Sequence, residues 1–418
     1  MCRIVITGMG VVSPLGNSVE RFWSSLTAGR SGIGPITLFD ASALPVRIAG
    51  EVTGLDFEWI RDRFPKLQNC RDRKVFLALA AARQAISNAG LSARELQSSL
   101  LHVGVGLEVI PLEDLTPYAR SADFGQTIVS SLIAGQVDGT LQTPLDYTGN
   151  LLGETYGLVA GRYTNCSACA AGAQAIGEAW QMLREGLADV ALAGATDSML
   201  NPLGLGGFAL LRVLSDENDK PRQACRPFDV SRKGTVLGEG SAFVVLETLD
   251  HAGARGATIY AEVIGYGSSM DAYRVSDPDG SGRGMIQSMK AAMKAARLEG
   301  HQIDCVNAHG TGTVKNDIVE TAAIKDALGP HAYRIPVHAV KSMTGHMIAA
   351  SGAAEVVAAA LTLHEGVVPP TINLETSDDE CDLDYVAGRA RRFTGETVLS
   401  NSFGFGGQNA TLILRRYA

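Results

Sequence analysis

Gly172-Ala-Gln-Ala-Ile-Gly-Glu-Ala-Trp-Gln-Met-Leu-Arg-Glu-Gly186 returns 180 positions later as Gly352-Ala-Ala-Glu-Val-Val-Ala-Ala-Ala-Leu-Thr-Leu-His-Glu-Gly366. Ala173 falls on Ala353, Ile176 on Val356, Ala179 on Ala359, Leu183 on Leu363 and Glu185 on Glu365. Each copy predicts a helix that stops at its final glycine. Other pieces repeat in the same order at different offsets. Val5-Ile-Thr-Gly-Met-Gly10 resembles Val263-Ile-Gly-Tyr-Gly267, and the helical run 76–90 has a counterpart in 289–300. A short apolar strand follows each, over 101–106 and 305–308. Strands alternating with helices predict an α/β protein of mostly parallel sheets, built from two similar halves, 1–250 and 251–418. Loops from both halves would line a site at their junction, at the carboxyl ends of strands.

Just ahead of the first copy stands Cys166-Ser-Ala-Cys169. A thiol in the first turn of a helix faces unpaired N–H groups and the positive end of the dipole, and both favour thiolate. Cys169 is therefore a candidate nucleophile, with Ala170, Ala171 and Gly172 leaving its sulfur open. Burial as a small apolar filler is the competing reading of any free cysteine. A CxxC redox or metal pair lacks the thioredoxin-like context or second ligand pair it needs.

Composition narrows the classes. The 418 residues are 46% hydrophobic and 19% charged, and 47 glycines imply many tight turns. Seven scattered cysteines and an N-terminus without a leader pattern point to a reducing, cytoplasmic setting. The Ala-rich run 347–363 is broken by Ser351, Gly352 and Glu355, so no membrane span is expected. A net charge of −8 argues against a general nucleic-acid binder. One segment departs from this balance: Arg61, Arg63, Lys66, Arg71, Arg73 and Lys74 outnumber Asp62 and Asp72. It is either a solvated face or a dock for an acidic partner.

Three glycine-rich clusters supply groups that could meet Cys169. Asn307-Ala-His-Gly-Thr-Gly-Thr313 exposes His309 where a strand breaks into a loop, with the hydroxyls of Thr311 and Thr313 beside it. Val340-Lys-Ser-Met-Thr-Gly-His346 precedes the second helix copy as Cys166–Cys169 precedes the first, and so puts Lys341 and His346 opposite the nucleophile. Asn401-Ser-Phe-Gly-Phe-Gly-Gly-Gln-Asn409 is a turn whose glycines, Gly404 among them, permit close approach to a ligand. A backbone N–H from this turn and one from Cys169 could form an oxyanion hole, with Phe403 as apolar wall or gate.

Together these four segments resemble the β-ketoacyl-acyl carrier protein synthases of the II type, as do VITGMGVVSPLG, NPLGLGGFALLRVLS, CRPFD and VVPPTINLE in the same order. The resemblance implies a thiolase-like duplicated fold in five αβαβα layers, a dimer, and decarboxylative Claisen condensation in fatty acid or polyketide chain elongation. It implies an acyltransferase in which Cys169 carries the acyl chain and malonyl-acyl carrier protein supplies the carbanion. His309 and His346 would be neutral N–H donors, and Lys341 would tune the site, paired with Glu355. Thr311 and Thr313 would bind the phosphopantetheine arm, beside Gly404 and Glu355, and Phe403 would be the gate. No resident cofactor or metal is implied, because the arm arrives with the substrate. The acidic carrier protein gives the basic segment a partner, with Lys66, Arg71, Lys74 and Arg212 as the docking patch.

Cys166, Thr235, Arg274 and the segment 107–114 depart from the family pattern, which leaves the acyl length and the pathway open. A thiolase-type acyltransferase would carry a second catalytic cysteine near the C-terminus, and no cysteine follows Cys381. A chain-length-factor-type partner subunit would lack the nucleophile. A zinc site from Cys166, Cys169 and the two histidines is a third alternative. The expected assembly is a homodimer, or a heterodimer with a chain-length-factor-like subunit.

Overall fold

A computed structural model describes residues 2–68, 70–107, 123–134 and 144–417. Ten strands join in one sheet: β1 (Ile4–Val12), β2 (Leu100–Val105), β3 (Gly161–Asn165), β4 (Val190–Ser198), β5 (Glu239–Thr248), β6 (Ala261–Met270), β7 (Cys305–Asn307), β8 (Val337–His338), β9 (Thr397–Gly404) and β10 (Gln408–Arg415). Their order is β8-β7-β9-β10-β6-β1-β5-β4-β2-β3. Reading outward from the middle, one side runs 1-5-4-2-3 and the other 6-10-9-7-8, the same path five strands later. Directions repeat too. The two inner pairings of each side are antiparallel and the two outer ones parallel. The halves join where β1 and β6 pair antiparallel at Ile4↔Val263, Val5↔Glu262 and Ile6↔Ala261. Every residue of β1 and of β5 is buried, as strands covered on both faces require.

Five long helices complete the layers: α1 (Arg73–Ala89), α2 (Ala171–Arg184), α3 (Arg283–Ala296), α4 (Val314–Leu328) and α5 (Ala349–Glu365). On the outside of the first half, α1 covers β1, β5 and β4, while α3 covers β6 and β10 of the second, with α4 against α3. Helices α2 and α5 pack on each other between the two halves, which gives the αβαβα order of a thiolase-like fold. The repeated glycines explain how closely they cross. A Cβ on Gly172 would lie 2.6 Å from the carbonyl oxygen of Ala349, and one on Gly352 would lie 2.9 Å from the nitrogen of Ala173. Glycine at both positions lets the two backbones touch, so the central layer is thin enough for groups from both halves to share one cavity.

Most of the acyl-pocket segment expected over 107–114 lies outside the described residues. Among the described residues, no helix is long and apolar enough to cross a membrane.

Candidate active site

Cys169 occupies a single 3-10 turn, Ala168–Ala170, that leads straight into α2. Ala168 enters the left-handed region at φ 50°, an uncommon conformation for a residue with a side chain, and this turns the cysteine inward. Cys169 belongs to a buried apolar cluster with Met199, Leu200, Leu205 and Ile348. The backbone N–H groups of Phe405 and of Cys169 itself favour the thiolate. Burial outweighs these donors and pushes the thiol up to about 11, against the thiolate expected from a helix start alone. At neutral pH the resting group is the thiol.

His309 stands at the end of β7, and its loop is clamped by a residue the sequence did not reveal. Glu320 of α4 accepts the N–H of His309 at 2.7 Å and that of Gly310 at 2.8 Å, one on each carboxylate oxygen. Burial holds this carboxyl up at about 7. Lys341, fully buried, donates to the His309 carbonyl at 2.7 Å, lies 3.1 Å from His309 Nδ1 and pairs with Glu355. A protonated Lys341 can only donate, so His309 Nδ1 is the acceptor and the ring proton sits on Nε2.

His346 is fixed by its backbone, with its N–H on Val236 O at 2.7 Å and its carbonyl on Gly238 N–H at 2.9 Å. The N–H of Ile348 points at His346 Nδ1 over 3.1 Å, which again leaves the proton on Nε2. The two imidazoles meet edge to face with centroids 5.3 Å apart. Burial and the Lys341 charge drive both far below the usual histidine range, so both are neutral. The site therefore offers a thiol, two backbone N–H groups on it, and two neutral imidazole N–H donors.

A cavity of about 430 Å³ joins these groups to the surface, lined by Cys169, Thr311, Thr313, His309, His346, Phe403 and Gly404 among others. Lys341 and Glu355 do not line it, so Glu355 corrects the expectation of a substrate contact: its carboxylate is spent on Lys341 beneath the histidines. Phe403 is buried in β9 opposite Asn409 with its ring against His309. The next aromatic, Phe405, fits a gate better. It is partly exposed, stacks on Phe208, and precedes Gly406 and Gly407, both at positive φ.

Docking expectations also change. Lys74 is buried beside Asp72 and cannot meet a partner. Arg73 is turned inward onto Glu239, and Lys66 is exposed but paired with Glu154. Arg71 is exposed too, yet neither Lys66 nor Arg71 lines the cavity. Only Arg212 of the expected four does, joined by Lys233 and Lys315, which composition alone did not single out and which pair with Glu217 and Asp277 as Lys66 pairs with Glu154. Thr235 also lines the cavity, its hydroxyl buried and unpartnered, while Arg274 lies exposed beside Asp277. Among the described residues, no three His, Cys, Asp or Glu side chains are grouped to hold a metal.

Two family profiles cover the chain, that of the β-ketoacyl synthase N-terminal domain over residues 1–252 and that of the C-terminal domain over 260–375. The chain belongs to the β-ketoacyl synthase family. This ketosynthase is 43% identical to the 3-oxoacyl-[acyl-carrier-protein] synthase 2 of Coxiella burnetii, over 99% of its own length and 98% of that protein's. It is 41% identical to a granaticin polyketide putative β-ketoacyl synthase 1 of Streptomyces violaceoruber, over 99% and 98%. The solved ishigamide ketosynthase/chain length factor superposes over the full length of both chains with a TM-score of 0.87 at 34% identity. So does a type II ketosynthase solved with its acyl-carrier protein and a hexaketide, with a TM-score of 0.84 at 31% identity. The ketosynthase is thus an acyltransferase, a β-ketoacyl-acyl carrier protein synthase of fatty acid or polyketide elongation. A non-catalytic partner-subunit role is not favoured.

Proposed function

We propose that Cys169 captures the acyl chain and that His309 and His346 then drive condensation with malonyl-acyl carrier protein. The carrying observation is the pair of neutral imidazoles, each with Nδ1 occupied, beside one buried thiol in one cavity. In the first half-reaction the sulfur attacks the acyl thioester, a new C–S bond forms, and the carrier arm leaves as a thiol that takes the proton. The developing oxyanion sits between the N–H groups of Cys169 and Phe405. In the second, the malonyl C–C bond breaks, CO2 departs, and the electron pair forms an enolate whose oxygen accepts from the two Nε2–H groups. That enolate attacks the acyl carbonyl, the new C–C bond forms, and Cys169 is released as thiolate. Neutral donors suit this step, since an imidazolium would lose its proton to the enolate. Lys341 is a positioning residue that fixes His309 and adds positive charge nearby.

The same proposal extends to partners. The arm of the carrier protein passes Thr311 and Thr313, and no resident cofactor is asked for. Arg212, Lys233 and Lys315 at the cavity rim, with exposed Leu210, Leu211, Val275 and Val314 around them, suit an acidic carrier. The free edge of β3, with Tyr163 41% exposed, supports dimerisation with a second copy or with a chain-length-factor-like chain. A cytoplasmic site of action fits the free cysteines. Incubation with acyl- and malonyl-carrier protein should yield β-ketoacyl-carrier protein and CO2. Absence of product over a series of acyl lengths, with and without a companion subunit, would overturn the proposal.

A further inference from the structure

Ser351, in the first turn of α5, has no part in the chemistry described so far. It is 2% exposed and its Oγ stands 3.1 Å from His346 Nδ1. The same oxygen accepts the N–H of Met347 at 2.9 Å. Because Ile348 N–H can only donate, His346 Nδ1 is an acceptor, and the Ser351 hydroxyl must be the donor in their bond. Ser351 thus holds the ring with its proton and the Met347 peptide with its lone pair. The next residue in the chain, Ile348, sits at φ 47°, an uncommon conformation for a β-branched residue, and its N–H lies 3.1 Å from Nδ1. We propose that Ser351 is a positioning residue for the condensation step, clamping the strained Met347–Ile348 peptide and the His346 ring together so that Nε2–H faces the cavity. Alanine in its place leaves the Met347 N–H buried and unpaired and His346 Nδ1 with one donor instead of two.

This inference rests on the role given to His346, so its test separates the two. Ser351→Ala and His346→Ala are compared with wild type in two assays, transfer of an acyl group onto Cys169 by intact mass and decarboxylation of malonyl-carrier protein. Ser351→Ala should keep acyl transfer and KM for the malonyl carrier while kcat for decarboxylation falls about tenfold, a loss of the size expected from a small misplacement of a catalytic group. Unchanged kcat, or equal losses in both assays, would overturn the role of Ser351. Decarboxylation surviving intact in His346→Ala would instead overturn the role of His346. Should Ser351→Ala not fold, nitrogen-15 spectra of histidine-labelled wild type decide: an unprotonated Nδ1 with a protonated Nε2 on His346 is required, and a protonated Nδ1 refutes the clamp.

Discussion

The two helices that cross at the centre of the molecule begin in opposite ways. Each follows a strained residue at the same 180-position offset, Ala168 at φ 50° and Ile348 at φ 47°. Ahead of α5 the N–H of the strained residue bonds His346 Nδ1, and Asp197, from the end of β4 in the other half, accepts the N–H of Ala349 at 3.1 Å. Ahead of α2 the arrangement differs. The corresponding strand end there, on β9, is Gly404, close enough to the nitrogens of Cys169 and Ala170 that a Cβ would lie 3.1 and 3.2 Å away. One helix start is capped by the protein, and the other is left open for a substrate oxygen. A duplicated scaffold thus begins its two central helices in different surroundings, a carboxyl at one and a glycine at the other.

The largest effect falls on the thiol: Cys169→Ala should lower condensation by about 10⁴-fold or more, measured as ketoacyl product, while the fold is kept. Filling the open helix start comes next. Gly404→Ala should slow acyl transfer to Cys169 by roughly tenfold to a hundredfold in single-turnover assays, because its methyl crowds the oxyanion donors. The crossing itself is tested by Gly172→Val, whose side chain collides with the Ala349 carbonyl. It should cost about 3 kcal/mol in a denaturant titration. A pH-dependent effect belongs to the capped start. Burial raises the Asp197 carboxyl from 3.8 to about 7, so the folded state holds a proton that the unfolded state has lost between those values. Its contribution is full below pH 3.8 and is lost as pH rises through about 7. Asp197→Asn should remove that slope, at most about 1.4 kcal/mol per pH unit, in unfolding curves from pH 4 to 7.

Much of this division was legible in the chain. The glycine and alanine spacing of α2 and α5 encodes the crossing directly, and Cys169, His309 and His346 sit in short local patterns that place each at the end of an element. What was not legible depends on tertiary neighbours. Nothing near Lys74 in sequence says that α1 buries it, and nothing near Glu320 says that its carboxylate reaches back to clamp the His309 loop. Asp197 caps a helix 152 residues away. The helix start predicts a thiolate at Cys169, yet burial in an apolar cluster dominates. Phe403 and Phe405 look alike in sequence, and only the fold shows that the first is paired and buried in β9 while the second lies partly exposed beyond it.

The division of labour is tested most directly in the double variant His309→Ala/His346→Ala, incubated with acyl-carrier protein and then with malonyl-carrier protein. Intact mass should show one acyl group on the protein, mapped by peptide analysis to Cys169, with no ketoacyl product formed. Failure to acylate, or ketoacyl product at the wild-type rate, would contradict the separation of acyl capture in the first half from carbanion chemistry in the second.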